Sequence, residues 1–252
     1  MEITFITGLI MAATGFLAGF VDSIAGGGGI ITVPVLLSLG LPPHLALGTN
    51  KLQAVFGSFT SAGRYYHKKL FTLHDTWLGI LFTLIGASIG TILIQMINAD
   101  FLMKAIPLFL LVIFIYTLFS PKLGATDRHV TMSKFLFFPI AGFLLGFYDG
   151  FFGPGTGSFW TIALVVLYGL NLKKATGTTK VMNFTSNIVS LIVFIIGGKV
   201  LFLAGIVMGS GQIAGAWVGS HLVIKHSTKF IRVFFLIVVA GTITKIIWSE
   251  FF

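Results

Sequence analysis

The chain has 252 residues, 56 % hydrophobic and 9 % charged, with a mean hydropathy of +1.02, whereas an ordinary soluble domain carries roughly 25 % charged residues. That composition excludes a soluble globular domain and places the chain among polytopic integral membrane proteins. Cysteine is absent, which excludes disulfides and thiolate chemistry, and the net charge of +9 reads as a signal of membrane orientation rather than of a nucleic-acid partner.

Apolar segments are predicted at 3–23, 29–41, 44–63, 75–97 and 101–120, then at 134–152, 156–171, 175–197, 200–222 and 231–249. Most approach the ~20 residues that a helix needs to cross the hydrocarbon core. The first lacks a basic leader and a small-residue cleavage site, so it reads as a retained membrane helix. The short segments 29–41 and 156–171 either span or re-enter. Between the first and second segments the chain meets Asp22 and breaks on Gly26, Gly27, Gly28 and Gly29; it then turns at Pro42 and Pro43 and continues through Ala46-Leu47-Gly48-Thr49-Asn50-Lys51. The series returns with Asp149, Gly153, Gly155 and Lys180 in the corresponding places. Two related halves follow, 1–120 and 134–252, joined by a linker at 121–133.

Charge placement orients them. With the Arg64 to Lys69 loop in the cytoplasm, the inside loops collect Arg64, Lys68, Lys69, Lys122, Arg128, Lys134, Lys173, Lys174, Lys225, Lys229 and Arg232. Lys104, Lys199 and Lys245 fall near outside ends, the linker is cytoplasmic, and both termini lie outside. Five segments per half is an odd number, so related halves must enter the membrane from opposite sides. The predicted fold is an all-α integral membrane protein of two inverted repeats, with short broken or re-entrant helices after the glycine-rich breaks. Gly86-Ala87-Ser88-Ile89-Gly90 and Gly215-Ala216-Trp217-Val218-Gly219 also correspond; small residues at this spacing let helices pack closely in lipid, and no ligand is assigned to them.

The chemistry concentrates at the breaks. Asp22 and Asp149 end apolar segments, where a carboxylate costs a few kcal/mol unless hydrated, paired or protonated; they are either helix caps or proton-coupling groups. The glycines allow non-helical backbone at membrane depth, tolerated only where protein or water covers it, and the half-helices that follow present positive dipole ends suited to an anion. Neither cluster continues into Gly-Lys-Ser or Gly-Lys-Thr, so a P-loop is excluded. Lys180, Asn183, Asn187 and Ser190 share one helix face, as do Lys51, Ala54, Ser58 and Ser61. The lysines either snorkel to an interface or face a central cavity, and the second arrangement calls for a small anionic substrate. The six histidines show no metal-ligand spacing, and no metal or cofactor is expected.

The pattern G-x-x-D-x-x-x-G-x-G followed by A-x-G-T-x-K, written twice, resembles the TauE/SafE family of sulfite exporters, also called TSUP transporters. The first copy, with DSIAGGGG and LPPHLALGTNK, is the more specific; the second keeps only alternate glycines in Gly153-Pro154-Gly155-Thr156-Gly157. The resemblance implies a secondary transporter that moves small sulfur-containing anions (sulfite, thiosulfate or organosulfonates) across a bacterial cytoplasmic membrane, by export. It implies a site at Asp22, Gly26, Gly27, Gly28, Gly29, Thr49, Asn50 and Lys51, with Asp149, Gly153, Gly155, Thr156, Gly157, Thr178, Thr179 and Lys180, to which the polar face adds Asn183. A passive anion channel is the alternative. An intramembrane aspartyl protease is remote, because Gly-x-Gly-Asp is absent at both aspartates. The anion, the coupling ion and the oligomeric state stay open at the level of sequence.

Overall fold

The computed structural model describes residues 4–118 and 132–225. The last predicted segment, 231–249, and most of the linker lie outside the described residues. Nine α-helices are formed among the described residues, with no strand: α1 (Phe5–Ala25), α2 (Gly28–Ser38), α3 (Pro43–His67), α4 (Leu73–Met96), α5 (Ala99–Leu118), α6 (Lys134–Phe151), α7 (Thr156–Val166), α8 (Leu172–Ile196) and α9 (Phe202–Lys225).

Local chemistry sets the helix ends. The Thr4 side chain caps α1, Thr72 caps α4 and Asn171 caps α8, each accepting from a backbone N–H three residues on. Pro43 opens α3, where its missing N–H costs nothing. Gly26 and Gly27 take φ of 75° and 122°, and Gly153 and Gly155 take 95° and 83°, the region that favours glycine. These two stops separate α1 from α2 and α6 from α7.

The short segments are shorter than predicted. α2 and α7 have 11 residues each, about 16 Å of helix at 1.5 Å per residue, roughly half of a ~30 Å hydrocarbon core. Apolar sequence runs on past both: Leu39 to Leu41 and Leu167 to Leu170 form turns around Gly40 and Gly169, each with positive φ.

α1 packs against α9 and α4 against α6, while α3 packs on α8 and α9, and α4 on α8. Exchanging α1 with α6, α2 with α7, α3 with α8 and α4 with α9 turns these pairings into one another. Both long contacts use small residues. A Cβ on Gly86 or Gly90 would strike the α6 backbone at Phe143 and Phe147, and one on Gly211 or Gly215 would strike α1 at Ala12 and Phe16.

The polarity is inside out relative to a soluble domain. Leu81, Leu84, Ile92 and Leu93 of α4 and Ile206, Ile213 and Trp217 of α9 are exposed, whereas Asn50, Lys51, Gln53 and Lys180 are buried. Among the described residues α1, α4, α6, α8 and α9 are long and apolar enough to cross a membrane. α3 is as long as α8, at 25 residues, but its body carries Thr49, Asn50, Lys51, Gln53, Ser58 and Ser61, all buried.

Candidate functional site

The two glycine breaks abut at the centre of the bundle. The Gly26 backbone lies against Gly157, so that a side chain on either would overlap the other, and the Ser158 hydroxyl donates to the Gly26 carbonyl at 3.3 Å. Tyr148 braces the second break by donating to the Pro154 carbonyl at 2.7 Å. The starts of α2 and α7 are thereby held next to the middle of α3 and α8.

Both membrane-embedded aspartates pair with lysines of the other half. Lys51 Nζ donates to Asp149 Oδ1 at 2.7 Å and to the Asp149 carbonyl at 2.5 Å, and the Ser186 hydroxyl donates to Asp149 Oδ2. Lys180 Nζ donates to Asp22 Oδ2 at 3.2 Å, while Asp22 Oδ1 accepts from the Gly27 and Gly28 N–H groups at 3.2 and 3.5 Å. Asp22 is thus both a cap on α2 and an ion-pair partner. The lysines do not snorkel, since the Lys51 and Lys180 side chains are 2 % and 0 % exposed. Taking one such charge out of water costs several kcal/mol, which only a well-placed counter-charge and hydrogen bonds offset. Each carboxylate is neutralised by a lysine, the opposite of the shared-proton dyad of an aspartyl protease.

A polar cavity lies between the pairs. It is lined by Asp22, Gly27, Gly28, Gly29, Asn50, Lys51, Ala54, Asp149, Gly153, Thr156, Asn183, Asn187 and Gln212, with about 30 Å³ open to water centres. One water centre needs about 10–15 Å³, so the space suits two waters and is too small for a sulfur oxyanion without rearrangement.

The predicted residues divide into two groups. Those named above meet at the cavity, but Lys180 lies behind Asp22 and does not line it. Gly26 and Gly157 form the backbone crossing, and Gly155 opens α7. Thr49 accepts from the Leu201 N–H at 3.0 Å and Thr179 is bonded to Thr161 at 3.1 Å; these hydroxyls hold neighbouring elements, and Thr178 is simply buried. Asn50 Oδ1 accepts from the Thr32 hydroxyl at 2.5 Å and from Gln53 Nε2 at 2.9 Å.

Nothing in the sequence pattern singles out Gln212. It is 1 % exposed, lines the cavity, and its Oε1, like Asn183 Oδ1, is buried without a hydrogen-bond partner. Its signal in the sequence is a single glutamine in the apolar α9, among glycines that read only as a packing face.

The sulfite exporter TauE/SafE family profile matches residues 11–246. A "Probable membrane transporter protein" of Haemophilus influenzae is 44 % identical over 96 % of this chain and 94 % of its own length. "Probable membrane transporter protein YfcA" of Escherichia coli is 46 % identical over 93 % of this chain and 87 % of its own, and "Sulfite exporter TauE/SafE family protein 5" of Arabidopsis thaliana is 31 % identical over 48 % of this chain and 28 % of its own. No solved structure matches the chain. A family match across the long apolar helices and both lysine–aspartate pairs identifies a multi-pass membrane transporter that belongs to the sulfite exporter TauE/SafE family.

Proposed function

We propose that this protein is a secondary transporter for small sulfur-containing anions, working by alternating access between two inverted repeats and exporting across the bacterial cytoplasmic membrane, with both termini outside. The observation that carries the reading is the pair of cross-half ion pairs, Lys51 with Asp149 and Lys180 with Asp22, set around one polar cavity where two broken helices meet. Moving one half against the other must disturb both pairs together, because each has one member in either half. The positive ends of α2 and α7 face the site, and the two ammonium groups become available to an anion when the pairs open. The small size of the cavity favours a closed, rearranging site over an open anion-conducting pore.

The substrate class comes from the family description. Reconstitution tests the reading: proteoliposomes preloaded with sulfite, thiosulfate or methanesulfonate should show saturable counterflow of the labelled anion. Flux of thousands of ions per second without counterflow would instead indicate a channel. Cysteines introduced into this cysteine-free chain at Lys69 and Lys199 should label from opposite faces if the repeats are inverted.

A further inference from the structure

The two ion pairs are chemically unequal, and the difference bears on coupling and selectivity. Asp149 is 5 % exposed, with a 2.7 Å contact to Lys51, and its other oxygen takes the Ser186 hydroxyl. Asp22 is 14 % exposed, with a 3.2 Å contact to Lys180, and its remaining bonds are to backbone N–H groups at 3.2 and 3.5 Å. The repeat puts Gly57 where the second half has Ser186, so Asp22 receives no matching hydroxyl; the space at Gly57 is filled by the Gln212 side chain.

The Asp22 carboxylate therefore occupies an anion cradle, made of two N–H groups at the start of α2 and a buried ammonium. The same cavity carries two carboxamides, Gln212 at 1 % and Asn183 at 5 % exposure, each with an oxygen that lacks a partner. Those oxygens are acceptors, which an oxyanion cannot satisfy; they suit an O–H donor such as a protonated Asp22 carboxyl in the same cavity. An oxyanion that reaches the two N–H groups and the ammonium competes with Asp22 for them.

We infer that substrate binds by displacing the Asp22 carboxylate, that Asp22 takes up one proton as it leaves, and that the site is consequently selective for monoanions. This rests on the transport reading above. The step balances: the carboxylate and a hydronium ion from the entry side give a neutral carboxyl and water, and the proton leaves with the anion on the opposite side, so that export runs down the anion's own gradient and carries a proton out with it. With Asp22, Lys180, Asp149 and Lys51 all ionised the site is neutral, and with one proton and one monoanion it is neutral again. A dianion would leave one uncompensated charge at membrane depth.

The other charged or titratable groups around Asp22 are few. α8 supplies Lys180, α3 supplies Lys51 and, deeper, Tyr65 with Arg64 beyond it, and α6 supplies Asp149. α9 contributes neutral Gln212 and, toward its end, His221, whereas α2 and α7 contain no titratable side chain. Asp22 is therefore the group placed to change charge in the cavity while Asp149 stays clamped.

The test uses the full chain in proteoliposomes with a trapped pH dye, and methanesulfonate and thiosulfate as monoanion and dianion. Sulfite counterflow serves as the control for transport itself. Methanesulfonate uptake should acidify the lumen by one proton per anion, should not respond to an imposed potential, and should exceed thiosulfate uptake by about tenfold or more, equivalent to 1.4 kcal/mol of discrimination. Asp22→Asn, which cannot take up the proton, should lose accumulation driven by a pH gradient. Uptake without a proton signal, equal uptake of thiosulfate, or pH-driven accumulation by Asp22→Asn would overturn the proposal. If Asp22→Asn does not fold, the proton count and potential response of the unaltered protein still decide it. Failure of all three anions to move, sulfite included, would overturn the transport reading and the proposal with it.

Discussion

Lys51 of α3 and Asp149 of α6 stand 98 positions apart and meet at 2.7 Å, with both side chains buried. Together with Lys180 and Asp22 they fasten the halves of the protein to each other beside the break in each half. A buried pair of this kind adds less to stability than its charge suggests, because both ions are desolvated, yet it is costly to break from one side. That asymmetry separates structural from functional effects.

Lys51→Met should destabilise the protein by about 3–5 kcal/mol, since it strands the Asp149 carboxylate. Adding Asp149→Asn should restore most of the loss by removing the orphaned charge. Chemical or thermal unfolding in detergent reads both; a double variant no more stable than the single one would show that the pair is not the source.

Gln212→Met should leave stability unchanged or raise it, because the exchange removes a buried amide oxygen without a partner at similar side-chain volume. Transport should fall nevertheless. A variant that loses stability and keeps full transport would make Gln212 a packing residue only.

Gly90→Leu should part α4 from α6, since a Cβ there meets the Phe147 carbonyl; overpacking of this kind costs about 1–3 kcal/mol. Ile89→Ala, on the exposed face of the same helix, should change stability by no more than about 0.5 kcal/mol. Equal effects at the two positions would contradict the small-residue contact.

Tyr65→Phe removes the hydroxyl that donates to the Ser23 carbonyl at 2.7 Å, just beyond Asp22. A cost of about 1–3 kcal/mol is expected, the penalty for a buried acceptor left unpaired, again read by unfolding in detergent.

Much of this was legible in the sequence for definite reasons. The helices stop where Gly26, Gly27, Gly153 and Gly155 adopt positive φ, and the glycines announce those stops directly. The polar faces of α3 and α8 stand out against apolar neighbours, so the sequence alone turns Asn183 and Asn187 toward the protein interior or a water path. The apolar segments 29–41 and 156–171 run past the ends of α2 and α7 because the turns after them are made of leucine as well as glycine. The sequence leaves the lysines either snorkelling or facing a cavity and shows no partner for them, whereas both are held by carboxylates of the opposite half. Partners 98 and 158 positions apart are fixed by how α1, α3, α6 and α8 pack, and no local pattern records them. Gln212 escapes a reading of the sequence for a similar reason: its face of α9 reads as a helix contact, and the room for its side chain is opened by Gly57 and Gly19 of other helices.

The account's central claim is that transport runs through the cross-half pairs. The most direct measurement is sulfite counterflow in proteoliposomes by the unaltered chain and by Asp22→Asn combined with Lys180→Met, which removes one pair without stranding a charge. The account predicts saturable counterflow by the former and its loss in the latter, with unfolding in detergent little changed. Undiminished sulfite counterflow by the double variant would contradict it.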